Sequence, residues 1–121
     1  MITELTPGVL ITALALHVPL DPVAPDRVVS GHPFEGSIPL DERHGREFGV
    51  WEITPGVSTA TEDEEIFIVL SGRATIAFEH VPWASGPTPP IELAPGSVVR
   101  LTEGMRTVWT VHETLRKIYF V

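Results

Sequence analysis

The sequence predicts an all-β fold, an antiparallel barrel or sandwich of short strands, and three observations carry that reading. Twelve prolines and ten glycines are spread through nearly the whole chain, so few stretches are long enough for a helix. Between them stand short runs rich in Val, Ile, Phe, Trp and Thr, the composition of strands. Turn pairs recur at Pro55-Gly56, Ser71-Gly72, Pro95-Gly96 and Glu103-Gly104, at the spacing of a sandwich or closed barrel.

Taken in order, the first candidate strand is Val9 to Val18, a long apolar run. Pro19 to Arg46 has several prolines and glycines and no clear periodicity. It reads as a wrapping arm with one short strand near Gly36 to Leu40, or alternatively as a disordered linker. The remaining strands are expected at Glu47 to Thr54, Glu65 to Leu70, Arg73 to Glu79, Ile91 to Leu93, Ser97 to Leu101, Arg106 to His112 and Arg116 to Val121. The proline-rich piece His80 to Pro90 reads as a solvent-exposed hairpin loop. The expected organisation is one domain over residues 1–121, with 1–46 the strand and arm and 47–121 the barrel core.

Composition narrows the function classes. A chain of 121 residues with 43% hydrophobic and 20% charged residues is the size and make-up of one folded domain. It contains no cysteine, so disulfides, thiolate metal sites and thiol chemistry are excluded, and a reducing, cytoplasmic location is expected. The net charge of −8 opposes nucleic acid as a partner, since no basic cluster offsets it locally. The apolar run Val9 to Leu20 is too short to cross a bilayer and has no basic residues before it, so neither a membrane segment nor a signal peptide is read.

Two stretches carry recognisable patterns. TATEDEEIFIVLSG runs from Thr59 to Gly72, and GSVVRLTEGMRT from Gly96 to Thr107. In these the chain resembles the cupins. Their first motif has a His-x-His pair, a glutamate, six residues and a glycine. Glu65 and Gly72 stand at the matching separation, while Thr59 and Thr61 occupy the histidine positions. The second motif places Gly96, Thr102, Gly104 and Thr107 at its matching positions, and its histidine is gone too. The resemblance implies an antiparallel double-stranded β-helix, the jelly-roll barrel. A transition metal held by imidazole needs several ring nitrogens converging at about 2.0–2.2 Å, so no tightly bound metal and no cofactor are expected.

The likeness sharpens toward the small single-domain cupins related to (S)-ureidoglycine aminohydrolase and the ethanolamine-utilisation cupin. GVWEITPG at Gly49 to Gly56, EEIFIVLSGRATI at Glu64 to Ile76, and TVWTVHETLRKIYFV at Thr107 to Val121 carry it. Residues two apart share one face of a strand. By that parity Glu65 goes with Phe67 and Val69, Thr107 with Trp109 and Val111, and Lys117 with Tyr119. The resemblance places Trp51, Glu65, Trp109, Lys117 and Tyr119 around one cavity. It makes Glu65, Lys117 and Tyr119 the candidate catalytic residues, with Glu65 as acceptor or acid/base and the other two as orienting donors. Trp51, Phe67, Thr107 and Trp109 become the candidate ligand-binding residues. Each also has a plainer reading: Glu65 as a solvated carboxylate of the run Glu62 to Glu65, Lys117 as an edge lysine in water, the tryptophans as core. Arg100 and Arg106 flank the second motif and read as solvated strand-end residues. The five histidines, His17, His32, His44, His80 and His112, show no ligand spacing.

The expected function is therefore binding of a small polar or carboxylated metabolite without a tightly bound metal. Two alternatives stand beside it: a divalent-metal cupin enzyme of the aminohydrolase or oxygenase type, and a structural or interaction module whose pocket is packed core. A homodimer is expected, pairing through the apolar strand Val9 to Val18.

Overall fold

Nine strands follow one another along residues 5–121, the part of the chain that this computed structural model describes. They are β1 (Asp21–Pro22), β2 (Val28–Ser30), β3 (Phe34–Arg43), β4 (Arg46–Ile53), β5 (Gly56–Thr61), β6 (Glu65–His80), β7 (Ile91–Leu93), β8 (Val98–Leu101) and β9 (Arg106–Phe120). All pairings are antiparallel, and the fold is the all-β curled barrel that the sequence predicts.

Its spine is the ladder between β6 and β9, running from Ile66 opposite Phe120 to His80 opposite Arg106. On the far side of β9 lie β5, against its first half, and β4, against its second. On the far side of β6 lie β8 and β7. β3 and then β1 extend the sheet beyond β4, and β2 extends it beyond β5. The interior is filled by a cluster that includes Phe67, Ile76, Leu101, Leu115 and Trp109.

Several boundaries differ from the sequence expectation. Ser71-Gly72 is no turn between two strands. The ladder continues through it with shifts in register, so Glu65 to Leu70 and Arg73 to Glu79 form one bent strand. Gly72 has φ +91, and a Cβ there would run into the Thr114 carbonyl. Glycine thus permits the two long strands to bend past each other at this point. Arg106 to His112 and Arg116 to Val121 likewise merge into β9. β5 is an additional strand, missed because VSTAT has small polar side chains and little apolar patterning.

The arm is ordered through β1, β2 and the ten-residue β3, so the disordered-linker alternative falls. β3 turns into β4 through His44 and Gly45, both at positive φ (52 and 76), the requirement of a tight hairpin that follows the sheet twist.

Val9 to Val18 is not a strand. It contains one 3-10 turn, Ala13–Ala15, and lies as a strap on the outer face of β3, β4 and β9. There Ile11, Leu16 and Val18 pack with Leu40, Val50 and Ile118. The strap is anchored by Arg116, whose Nη1 donates to the Ala13 carbonyl at 2.8 Å. Gly36 lets the Pro19 carbonyl come closer than any Cβ would allow. With no strand in that segment, pairing of two copies through it as a sheet edge loses its basis. Val9, Leu10 and Leu14 remain exposed. No helix among the described residues is long and apolar enough to cross a membrane.

Candidate functional site

One end of the barrel holds a cavity of about 780 Å³. Its walls come from positions on β3, β4, β5, β6 and β9 and from the segment that leads into β6. Register sets the pairings. Trp51 stands opposite Lys117 and Gly49 opposite Tyr119 across β4 and β9, while Val69 stands opposite Lys117 across β6 and β9.

Lys117 is buried, with 5% of its surface exposed. Its Nζ lies 2.6 Å from Glu65 Oε2. The same ammonium sits 4.2 Å from the Phe67 ring centroid, 4.5 Å from Trp51 and 5.1 Å from Trp109, within the range of cation–π attraction. The two indoles meet edge to face at 5.6 Å. A buried cation thus has a carboxylate on one side and three π-faces around it, the compensation that a charge in a poorly solvated place needs.

A second pair lies beside the first. The Tyr119 hydroxyl donates to Glu47 Oε2 at 2.6 Å. Burial, and then the hydrogen bond and negative charge of Glu47, push the Tyr119 phenol far above its ordinary value of 10.0, against a smaller opposing effect of the Ser37 hydroxyl. The single phenolic proton is committed to Glu47, so Tyr119 orients that carboxylate first. Gly49 makes the arrangement possible, because a Cβ there would stand 2.5 Å from both the Tyr119 oxygen and the Ile38 carbonyl oxygen.

A third carboxylate comes from Glu62, in the short connection before β6. It is 9% exposed. Its Oε1 accepts from Thr107 Oγ1 at 2.7 Å and from Trp109 Nε1 at 3.1 Å. Its backbone is tied to Met105 and Gly104. At the mouth, Arg27 of the arm latches β5 to β3, with Nε on the Thr59 carbonyl at 2.9 Å and Nη1 on Glu35 at 2.8 Å.

Of the seven residues that the sequence singled out, Trp51, Glu65, Trp109, Lys117 and Tyr119 line the cavity. Phe67 and Thr107 do not. Both are fully buried behind the wall, Phe67 against the Lys117 ammonium and Thr107 holding Glu62. Neither is exposed at the cavity surface, and each instead contacts a residue that is. Arg106 lines the cavity edge, whereas Arg100 pairs with Glu64 on the surface at 2.6 Å. None of the five histidines lines the cavity. His112 lies on the outside with Nε2 3.0 Å from Thr75 Oγ1.

Sequence reading missed Glu47, Glu62 and Arg27. A signal for Glu47 existed, since the parity that turns Trp51 inward also turns Gly49 and Glu47 inward. Glu62 offered none, because it lies outside any strand and within an acidic run.

The model of the EutQ-like cupin domain matches residues 40–119. The chain belongs to that family of cupins. Solved structures agree in fold. A protein of unknown function from Pseudomonas syringae pv. tomato superposes with TM-score 0.71 at 24% identity over 91% of this cupin and 46% of that chain. This cupin thus spans about half the length of that neighbour. One of unknown function from Rhizobium leguminosarum bv. viciae gives 0.60 at 20% identity over 71% and 78% of the two chains. The EutQ protein of Clostridium difficile gives 0.58 at 16% identity over 73% and 67%. No curated protein matches.

Many cupins hold a transition metal through histidines and a glutamate, and Glu65 stands at that glutamate position. The donor set of this cupin does not fit such an ion. Threonines occupy the histidine positions of the motifs. Among the described residues no three His, Asp or Glu side chains are placed to hold a metal together. Glu65 faces the Lys117 ammonium instead.

Proposed function

We propose that this cupin binds a small metabolite in the barrel cavity, without a resident metal, and that the ligand is rich in N–H donors or positively charged. One observation carries the reading. Glu47, Glu62 and Glu65 each have one carboxylate oxygen fixed by a protein donor, and the other oxygen of each makes no hydrogen bond among the described residues. Three half-satisfied carboxylates around one chamber leave acceptor capacity that a ligand can fill. The wider wall has the same sign. Glu35, Glu47, Glu62, Asp63, Glu65 and Glu79 line it against Arg27, Arg106 and Lys117, and two of those cations are already paired with Glu65 and Glu35.

This charge balance narrows the expectation drawn from sequence. A polar ligand fits, whereas a simple carboxylate meets an excess of like charge. The indoles of Trp51 and Trp109 supply flat apolar area beside the polar contacts. Lys117 lines the cavity beside Glu65, and an N–H of its ammonium not engaged by that carboxylate can hold a carbonyl or similar oxygen.

The test is mass spectrometry of small molecules released when freshly purified, untagged protein is denatured, with elemental analysis of the same sample. The expected result is an amine or another N–H-rich compound and no stoichiometric transition metal. Release of a simple carboxylate, or one transition metal per chain, would overturn the proposal.

A further inference from the structure

Glu62 is anchored through one carboxylate oxygen and presents the other to the cavity. Glu62 is nine-tenths buried as a residue, yet both of its side-chain hydrogen bonds fall on one oxygen, Oε1. Oε2 has no hydrogen bond among the described residues. It is also not sealed from contact, since the single buried, unpartnered side-chain atom there is Thr102 Oγ1. Glu62 lines the cavity. Trp109 Nε1 also donates to Thr107 Oγ1 at 3.1 Å. The anchor of Glu62 is therefore a closed three-membered cluster, and its orientation does not depend on solvent.

Trp109 links this carboxylate to the rest of the site. Its indole nitrogen holds Glu62, and its ring lies 5.1 Å from the Lys117 ammonium. Glu62 and Lys117 thus line one chamber, and both contact the same indole. Lys117 offers donors and Glu62 an acceptor oxygen.

We infer that Glu62 is the specificity-determining residue of the cavity: Oε2 receives the cationic nitrogen of a ligand whose other end places a hydrogen-bond-accepting oxygen on Lys117. Thr107 and Trp109 are positioning residues that act through Glu62. The ligand class is a short molecule with an ammonium at one end and a carbonyl oxygen at the other. This rests on the cavity being a small-molecule site, as proposed above. A buried carboxylate with one open oxygen discriminates strongly, because a neutral isostere leaves the charge unmatched.

Three probes separate the possibilities: 3-aminopropanamide, which carries both ends; propanamide, which lacks the ammonium; and propanoate. Binding is followed by tryptophan fluorescence, since Trp51 and Trp109 line the chamber, and by calorimetry. The wild-type protein is expected to prefer 3-aminopropanamide to propanamide by roughly tenfold or more, the worth of a hydrogen bond to a charged group. Glu62→Gln keeps an oxygen for Thr107 and Trp109 and therefore the fold, to be checked by thermal unfolding. It should erase the preference while propanamide binding stays within about threefold. Thr107→Val should weaken 3-aminopropanamide without abolishing the preference for it. A preference unchanged in Glu62→Gln would overturn the assignment of Glu62 and leave the binding site standing. Failure of the wild-type protein to bind any of the three, or tightest binding of propanoate, would overturn the reading of the cavity itself.

Discussion

Replacing Lys117 by Met tests whether the central ion pair is as desolvated as its geometry indicates. The side chains of Lys117 and Glu65 are 6% and 14% exposed and 2.6 Å apart. Methionine fills most of the lysine stem's volume and can touch the aromatic rings through sulfur, so packing is nearly conserved. The charge is lost, and Glu65 is left without its partner. Breaking a buried pair in this way costs about 3–5 kcal/mol. The open oxygen of Glu65 faces a cavity large enough for water, which places the expected loss near the lower end, about 3 kcal/mol. At about 4 °C per kcal/mol for a chain of this size, Tm should fall by roughly 10–12 °C. The double change Lys117→Met with Glu65→Gln removes both charges and should recover most of the loss, because a buried pair and a neutral replacement of similar volume often differ little. Urea titration followed by tryptophan fluorescence gives both numbers, and their coupling follows from the mutant cycle. A Lys117→Met protein as stable as wild type would refute the reasoning, since it would mean that Glu65 had lost nothing. Stability unchanged together with no ligand binding in either protein would favour a structural module.

Three further expectations follow from particular contacts. Tyr119 is the only tyrosine, so tyrosinate absorbance reports it alone. Its folded-state value is raised above the ordinary 10.0 by burial and by Glu47; the stability this contributes is complete below pH 10 and is lost as pH rises through the folded value. Native protein should show no tyrosinate signal at pH 10.5, unfolded protein should, and Tyr119→Phe should flatten the alkaline loss of stability. Titration of the native protein near 10 would contradict the buried pair. Gly49→Ala brings a methyl against the Tyr119 oxygen and the Ile38 carbonyl, and should cost about 1–3 kcal/mol in urea unfolding; a neutral result would mean that β3 and β4 are less closely set. Light scattering checks the expected dimer: a 13.2 kDa species alone at micromolar concentration would exclude it, and a species of twice that mass would support it.

The period of two along β6 and β9 determined much of this protein from sequence. It groups Glu65 with Phe67 and Lys117 with Tyr119, because strand geometry forces alternate side chains to one face. Glycine and proline placement gave the all-β class, and the spacing of Glu65 and Gly72 carried the cupin likeness. What the tertiary structure decided is how those faces meet. Whether Lys117 reaches Glu65 depends on the register of β6 against β9, a relation across 52 residues of chain that no local pattern encodes. Glu62 lies outside every strand, so parity says nothing of it, and an acidic run reads as solvated until Thr107 and Trp109 are brought to it from 45 and 47 residues away. The apolar run Val9 to Val18 shows the converse. Hydrophobicity required that it be covered, but only the outer face of β3, β4 and β9, and the missing side chain at Gly36, decided that it would lie as a strap instead of joining the sheet.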